Sequence, residues 1–128
     1  MRLLLDTQSF LWFINGDTRL SSKARILIED MGNVRLLSVV SIWEIGIKMS
    51  IGKLNLGLSF ATLFPQQLNA NLINLLNIKV EHAAIVASLP FHHKDPFDRM
   101  IVAQGLVEQT PIISIDAIFD SYGITRLW

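Results

Sequence analysis

The sequence predicts an α/β fold: a mostly parallel sheet of four to five strands with helices on both faces. Three observations carry this. Short Leu/Ile/Val runs alternate with stretches of helical periodicity along the chain. The runs are continuously apolar rather than alternating, as in strands covered on both sides. The chain has 128 residues, 51% of them apolar, enough to bury one core without staples.

The elements follow in order. Arg2 to Leu5 reads as a buried strand that stops at Asp6, and Thr7 to Ile14 as a helix. Ser21 or Ser22 caps a helix expected to run to about Met31, with Ala24, Leu27, Ile28 and Met31 on one face. Val34 to Ser38 is the second strand. Ser41 to Ser50 is the next helix, with Ile42, Ile45 and Met49 inward. Gly52 and Gly57 mark a loop. Ser59 to Asn69 is helical, with Pro65 a kink or break. Leu72 to Ile78 is the third strand, and Glu81 to Ser88 a short helix ended by Pro90. Asp95 to Glu108 is the clearest helix, with Asp then Pro at its start. Ile112 to Ile115 is a fourth strand, Asp116 to Tyr122 a short helix ended by Gly123, and Ile124 to Leu127 a last strand.

Composition excludes several classes. A mean hydropathy of +0.42 excludes a disordered chain. No apolar run approaches the ~18 residues of a spanning helix. Met1 to Leu5 is basic and apolar, but Asp6 cuts it too short for a secretion signal. There is no cysteine, hence no disulfide and no thiolate metal site. The expectation is one compact cytoplasmic domain over residues 1–128. Eleven basic and eleven acidic residues give a net charge of zero, which argues against a broad basic footprint for nucleic acid.

The informative feature is where the acids sit. Asp6 and Asp116 follow predicted strands; Glu44 and Asp98 open predicted helices. Each alone is explained by capping. Asp6 and Asp116 sit at strand-to-helix turns, Asp98 falls in a first turn, and Ser41 to Glu44 fits a capping box. Asp95 caps with Pro96 at the first helical position. In a parallel sheet, however, all four positions share one edge, the edge where chemistry gathers. Four converging carboxylates repel one another unless a cation joins them, and oxygen-only ligands suit Mg²⁺ or Mn²⁺. Such an ion activates water for phosphodiester hydrolysis.

At these residues the chain resembles the PIN-domain family, and within it the VapC-type toxins of toxin–antitoxin pairs. Leu4-Leu5-Asp6-Thr7 is similar to the family's opening strand and first acid. Leu11-Trp12, then Asn15-Gly16-Asp17 and Arg19-Leu20-Ser21, resembles the segment after it. Ser41-Ile42-Trp43-Glu44-Ile45 with Lys48 resembles the stretch bearing the second acid. Leu89-Pro90 through His93, then Asp95-Pro96-Phe97-Asp98-Arg99-Met100-Ile101-Val102-Ala103-Gln104, is the most specific match and places Asp98 third. Ser114-Ile115-Asp116 resembles the motif with the fourth acid. The resemblance implies a three-layer PIN-like fold and a Mg²⁺- or Mn²⁺-dependent endoribonuclease. Asp6, Glu44, Asp98 and Asp116 would hold the metal and orient water. It also implies a homodimer, an RNA substrate and a VapB-type antitoxin partner. A PIN-fold RNA-processing nuclease without antitoxin is an alternative, as are an aspartate-based phosphatase and a binding module without chemistry.

Other residues carry paired readings. The Thr7 and Ser114 hydroxyls either position ligands or cap. Asp95 caps or lies in an outer metal shell. Asp120 faces the cleft or solvent. Lys48 and Arg99 contact RNA phosphate, or form ion pairs, Lys48 with Glu44 and Arg99 beside Asp98. His92-His93 lacks a zinc-ligand spacing, and His82 is structural. Phe10-Leu11-Trp12-Phe13 is buried between layers or forms a partner surface. If four acids surround cations, 11 basic residues face 11 − 4 = 7 acidic ones, a remainder of +4. RNA affinity should then depend on divalent metal as well as salt.

Overall fold

The computed structural model describes residues 1–128. Five strands form it: β1 (Arg2–Leu5), β2 (Val34–Ser38), β3 (Asn74–Leu76), β4 (Ile112–Ile113) and β5 (Arg126–Leu127). They build one all-parallel sheet in the order β3-β2-β1-β4-β5. The helices are α1 (Thr7–Ile14), α2 (Ser22–Glu29), α3 (Val39–Ser50), α4 (Phe60–Asn71), α5 (Val80–Ser88) and α6 (Pro96–Val107), with a 3-10 helix over Ala117–Tyr122. No helix is long and apolar enough to cross a membrane.

Side-chain alternation sorts the apolar strand residues into two cores. Leu3, Leu5, Leu37 and Ile113 meet α1, α2 and α4 on one face. Leu4, Leu36 and Ile112 meet α6 and the 3-10 helix on the other. Helix α3 serves both, through Ile45 and Val40. The predicted architecture, an α/β sheet covered on both faces, is the one observed.

Several details differ. Helix α3 begins directly after β2, capped by the Ser38 hydroxyl on the Val40 N–H at 3.1 Å. The capping box of Ser41 and Glu44 therefore does not form; Glu44 lies well inside the helix. Helix α2 ends at Glu29, so Met31 leaves the apolar face and is exposed. Pro65 sits inside a continuous α4. Strands β3 and β5 are shorter than read, because only the residues facing β2 and β4 find partners. The aromatic run of α1 packs inward: Phe10, Leu11 and Trp12 are buried, Phe10 stacking on Phe64 and Trp12 tilting against Trp128. Three of the four residues are thus core, and Phe13 packs half-buried against them.

One glycine sets the distance between α6 and the sheet. A Cβ on Gly105 would stand 2.8 Å from Ile112 Cδ1 and 3.3 Å from the Thr110 carbonyl. Ile112 is fully buried and has little room to yield. Gly105→Ala gains helix propensity but overpacks this seam, and a net loss of about 1 kcal/mol is expected in thermal melts.

Candidate active site

A parallel sheet sends every strand toward the same edge, and each helix runs back down. The starts of α1, α3 and α6 therefore meet at the carboxyl edge of the strands, the site of chemistry in open α/β sheets. A cleft of about 500 Å³ opens there. Asp6, Glu44, Asp98 and Asp116 all line it, together with Thr7, Lys48 and Asp95. The sheet thus brings together the four predicted acids and three of the five predicted supporting residues.

Three of the cleft acids also cap. Asp6 accepts from the Ser9 N–H at 2.8 Å and closes α1. Asp95 accepts from the N–H groups of Phe97 and Asp98 and closes α6. Asp116 accepts from the Ile118 N–H and opens the 3-10 helix. Capping and convergence are compatible, because a cap fixes a carboxylate at the helix start, which is where the cleft lies.

Glu44 is 4% exposed and fully engaged. It accepts from the Thr7 hydroxyl at 2.7 Å and pairs with Lys48 one turn on. Ser41 lies 2.9 Å from the same Thr7 oxygen, and one hydroxyl has one proton. Thr7 therefore gives its proton to Glu44 and receives one from Ser41. The glutamate raises the Lys48 pKa, so the lysine stays charged. Thr7 thus holds the Glu44 carboxylate, and Lys48 takes its ion-pair role.

The electrostatics record the crowding. Burial raises the Asp6 carboxyl above its usual range, against hydrogen bonds from Ser114 and Ser9 that lower it; Asp116 adds a smaller upward push. Ser114 is buried and also accepts from the Asp116 N–H, so its hydroxyl ties the first acid to the fourth. Asp98 is raised too: burial, then the charges of Asp95, Asp6, Glu44 and Asp116, push it up to about 8. Five carboxylates face two lysines across the cleft.

The donor set is all oxygen, which fits a hard divalent cation. No three of these groups stand close enough to form a complete shell by themselves. A Mg²⁺ site of one or two carboxylates completed by water fits that spacing.

Arg99 is the corrected residue. It neither reaches the cleft nor pairs with Asp98. It is 4% exposed and donates to the carbonyls of Leu89 and Pro90, under the Phe91 ring. Asp120 pairs with Arg126 outside the cleft. His82 is fully buried, as expected. Sequence reading missed Gln8 and Lys53, which also line the cleft. Gly52, at φ +73°, turns the chain after α3 and carries Lys53 back toward Lys48, whose carbonyl accepts from its N–H. That glycine was the available signal.

Comparison with known proteins agrees with this fold. The chain superposes on a structure of VapBC2 from Rickettsia felis bound to a promoter DNA fragment, with a TM-score of 0.69 at 11% identity, covering 99% of this chain and 98% of that one. VapBC-1 from nontypeable Haemophilus influenzae gives 0.64 at 14%, covering 99% and 97%. FitAcB from Neisseria gonorrhoeae gives 0.64 at 16%, covering 98% and 96%. No curated protein matches by sequence. The PIN domain family matches over residues 3–124, a span that includes every acid of the cleft. With its all-parallel five-stranded sheet and acids at one edge, the chain belongs to the PIN domain family.

Proposed function

We propose that this protein is a Mg²⁺- or Mn²⁺-dependent endoribonuclease and the toxin of a toxin–antitoxin pair, acting in the cytoplasm. The observation that carries the reading is the excess of acid in the cleft: five carboxylates against two lysines. A cleft so charged repels phosphate until a cation enters it. A bound divalent ion supplies a water of lowered pKa and neutralises charge on the phosphodiester. Asp6, Glu44, Asp98 and Asp116 would surround it, one or two of them as direct ligands and the others through water. Thr7 and Ser41 keep Glu44 in place, and Ser114 keeps Asp6 in place. Lys53, which has no acidic partner within ion-pair range, is placed to meet the RNA backbone.

The toxin role is supported by neighbours in fold that include two VapBC structures, FitAcB and a toxin–antitoxin complex from Klebsiella pneumoniae. A VapB-type antitoxin and a homodimer belong to the same proposal. An aspartate-based phosphatase is disfavoured: Asp6 is 6% exposed and held by Ser9 and Ser114, a poor setting for a nucleophile.

The test is direct. Purified protein free of antitoxin should cut RNA with Mn²⁺ and stop with a chelator, and RNA should bind more tightly with metal than without. Cleavage that persists in chelator overturns the reading. Lys48 competes with the cation for Glu44, so Lys48→Ala should tighten Mn²⁺ binding by about fivefold in calorimetry.

A further inference from the structure

Asp98 is crowded by burial and by four neighbouring carboxylates, yet no protein group donates a hydrogen bond to its carboxylate. What faces it is the ring of His93, with Nε2 at 3.7 Å from Asp98 Oδ2. That nitrogen is shielded from solvent and has no hydrogen-bond partner of its own. The opposite ring nitrogen, Nδ1, lies 2.6 Å from the Tyr122 hydroxyl.

The tautomer follows from counting protons at Tyr122. Its oxygen accepts from the His93 backbone N–H at 3.2 Å and from Arg99 Nη1 at 3.3 Å, a proton shared with the His93 carbonyl at 3.5 Å. Both donors are fixed. Arg99 is anchored on the Leu89 and Pro90 carbonyls at 2.9 and 2.7 Å, with Phe91 stacked 4.0 Å away. With two protons already directed at its oxygen, Tyr122 must send its own to His93 Nδ1. Nδ1 is therefore the acceptor, and the ring proton sits on Nε2, aimed at Asp98. Edge-on contacts with Tyr122 and Phe119 hold the ring plane.

We propose that His93 is a positioning residue for Asp98: its Nε2–H, placed by the Arg99–Tyr122 relay, orients the carboxylate through Oδ2 and leaves Oδ1 free for a ligand in the cleft. At 3.7 Å the two atoms face each other just outside hydrogen-bond range. Carboxylates that bind metal are commonly steadied from behind in this way, and losing the support costs about 10- to 100-fold. Nε2 carries a proton and Nδ1 is engaged, so His93 is not itself a ligand. The inference rests on reading the cleft as a divalent-metal nuclease site. It gives a use to the buried Arg99, which acts on Asp98 through Tyr122 and His93.

Nitrogen-resolved NMR of the metal-free protein should show His93 as the Nε2-protonated tautomer, and Tyr122→Phe should let the other tautomer appear. An Nδ1-protonated ring in the wild type overturns the proposal. Full-length His93→Asn, whose amide ends at the Nδ1 position, should bind Mn²⁺ about tenfold more weakly and lower kcat on RNA with KM unchanged. His93→Gln, whose amide nitrogen reaches the Nε2 position, should recover most of both losses. Equal losses in Asn and Gln variants with wild-type melting overturn it. A wild type that binds Mn²⁺ but cuts no RNA overturns the nuclease reading instead, and the tautomer and the Asn–Gln contrast in Mn²⁺ affinity still judge His93.

Discussion

Replacing Asp98 by Asn is expected to abolish RNA cleavage while making the metal-free protein more stable. The two effects share one cause. Asp98 is raised from 3.8 to about 8, first by burial and then by Asp95, Asp6, Glu44 and Asp116. A carboxyl whose pKa rises on folding stabilises the fold fully at pH values below its unfolded pKa, near 4. That contribution is lost as pH climbs through the folded value, near 8. The metal-free wild type should therefore melt at a lower temperature at pH 8 than at pH 5. Asn is neutral throughout and should flatten that slope. Allowing for the 23% of the side chain that meets solvent, the gain at pH 8 should be on the order of 2 kcal/mol, seen as a rise in Tm. In kcat/KM on RNA, loss of a group that acts on transition-state charge should cost about 10³-fold. A melt that is independent of pH in the wild type would contradict the electrostatic account.

The second large effect is on stability. Arg35 lies in β2, 4% exposed, on the same face as Leu37. Its guanidinium donates to the Ile28 carbonyl at 2.7 Å, beside the end of α2, and to the Asn71 and Leu72 carbonyls at the end of α4. One cation thus closes two helix C-termini, where the backbone leaves acceptors unpaired and the dipole favours positive charge. Arg35→Ala leaves those carbonyls without their donor and opens a void. The expected cost is about 3–4 kcal/mol in denaturant unfolding. Arg35→Lys should recover only part of this, because an ammonium cannot reach both helix ends as a planar fork does. A cost near zero would mean that water or neighbouring groups replace the guanidinium.

These two residues show what sequence discloses and what it conceals. Asp98 was legible. An Asp-Pro start, an acid three residues on and an apolar helix after it place a carboxylate at one sheet edge, and the parallel topology gathers the others there. The strands were legible for the same reason: Leu3 to Leu5 and Leu36 to Leu37 have no polar face to offer solvent. Arg35 was not legible, because its partners are carbonyls at the ends of two helices, 7 and 36 to 37 residues away. The start of α3 was hidden because Val39 and Val40 suit strand and helix alike, and only the Ser38 cap decides between them. The link from Arg99 through Tyr122 and His93 to Asp98 was hidden too, since adjacency of Asp98 and Arg99 suggested a direct ion pair. On a helix, neighbouring side chains diverge by about 100°, so the arginine points into the core while the aspartate faces the cleft.

The converging carboxylates are proposed to hold a divalent cation. Mn²⁺ titrated into stripped protein, followed by its electron paramagnetic resonance signal, tests it without any assumption about substrate. Saturable binding is expected in the wild type, weakened by about tenfold or more in Asp6→Asn and in Asp98→Asn, with far-UV spectra unchanged. A wild type that leaves Mn²⁺ free, or variants that bind it as the wild type does, would contradict the account.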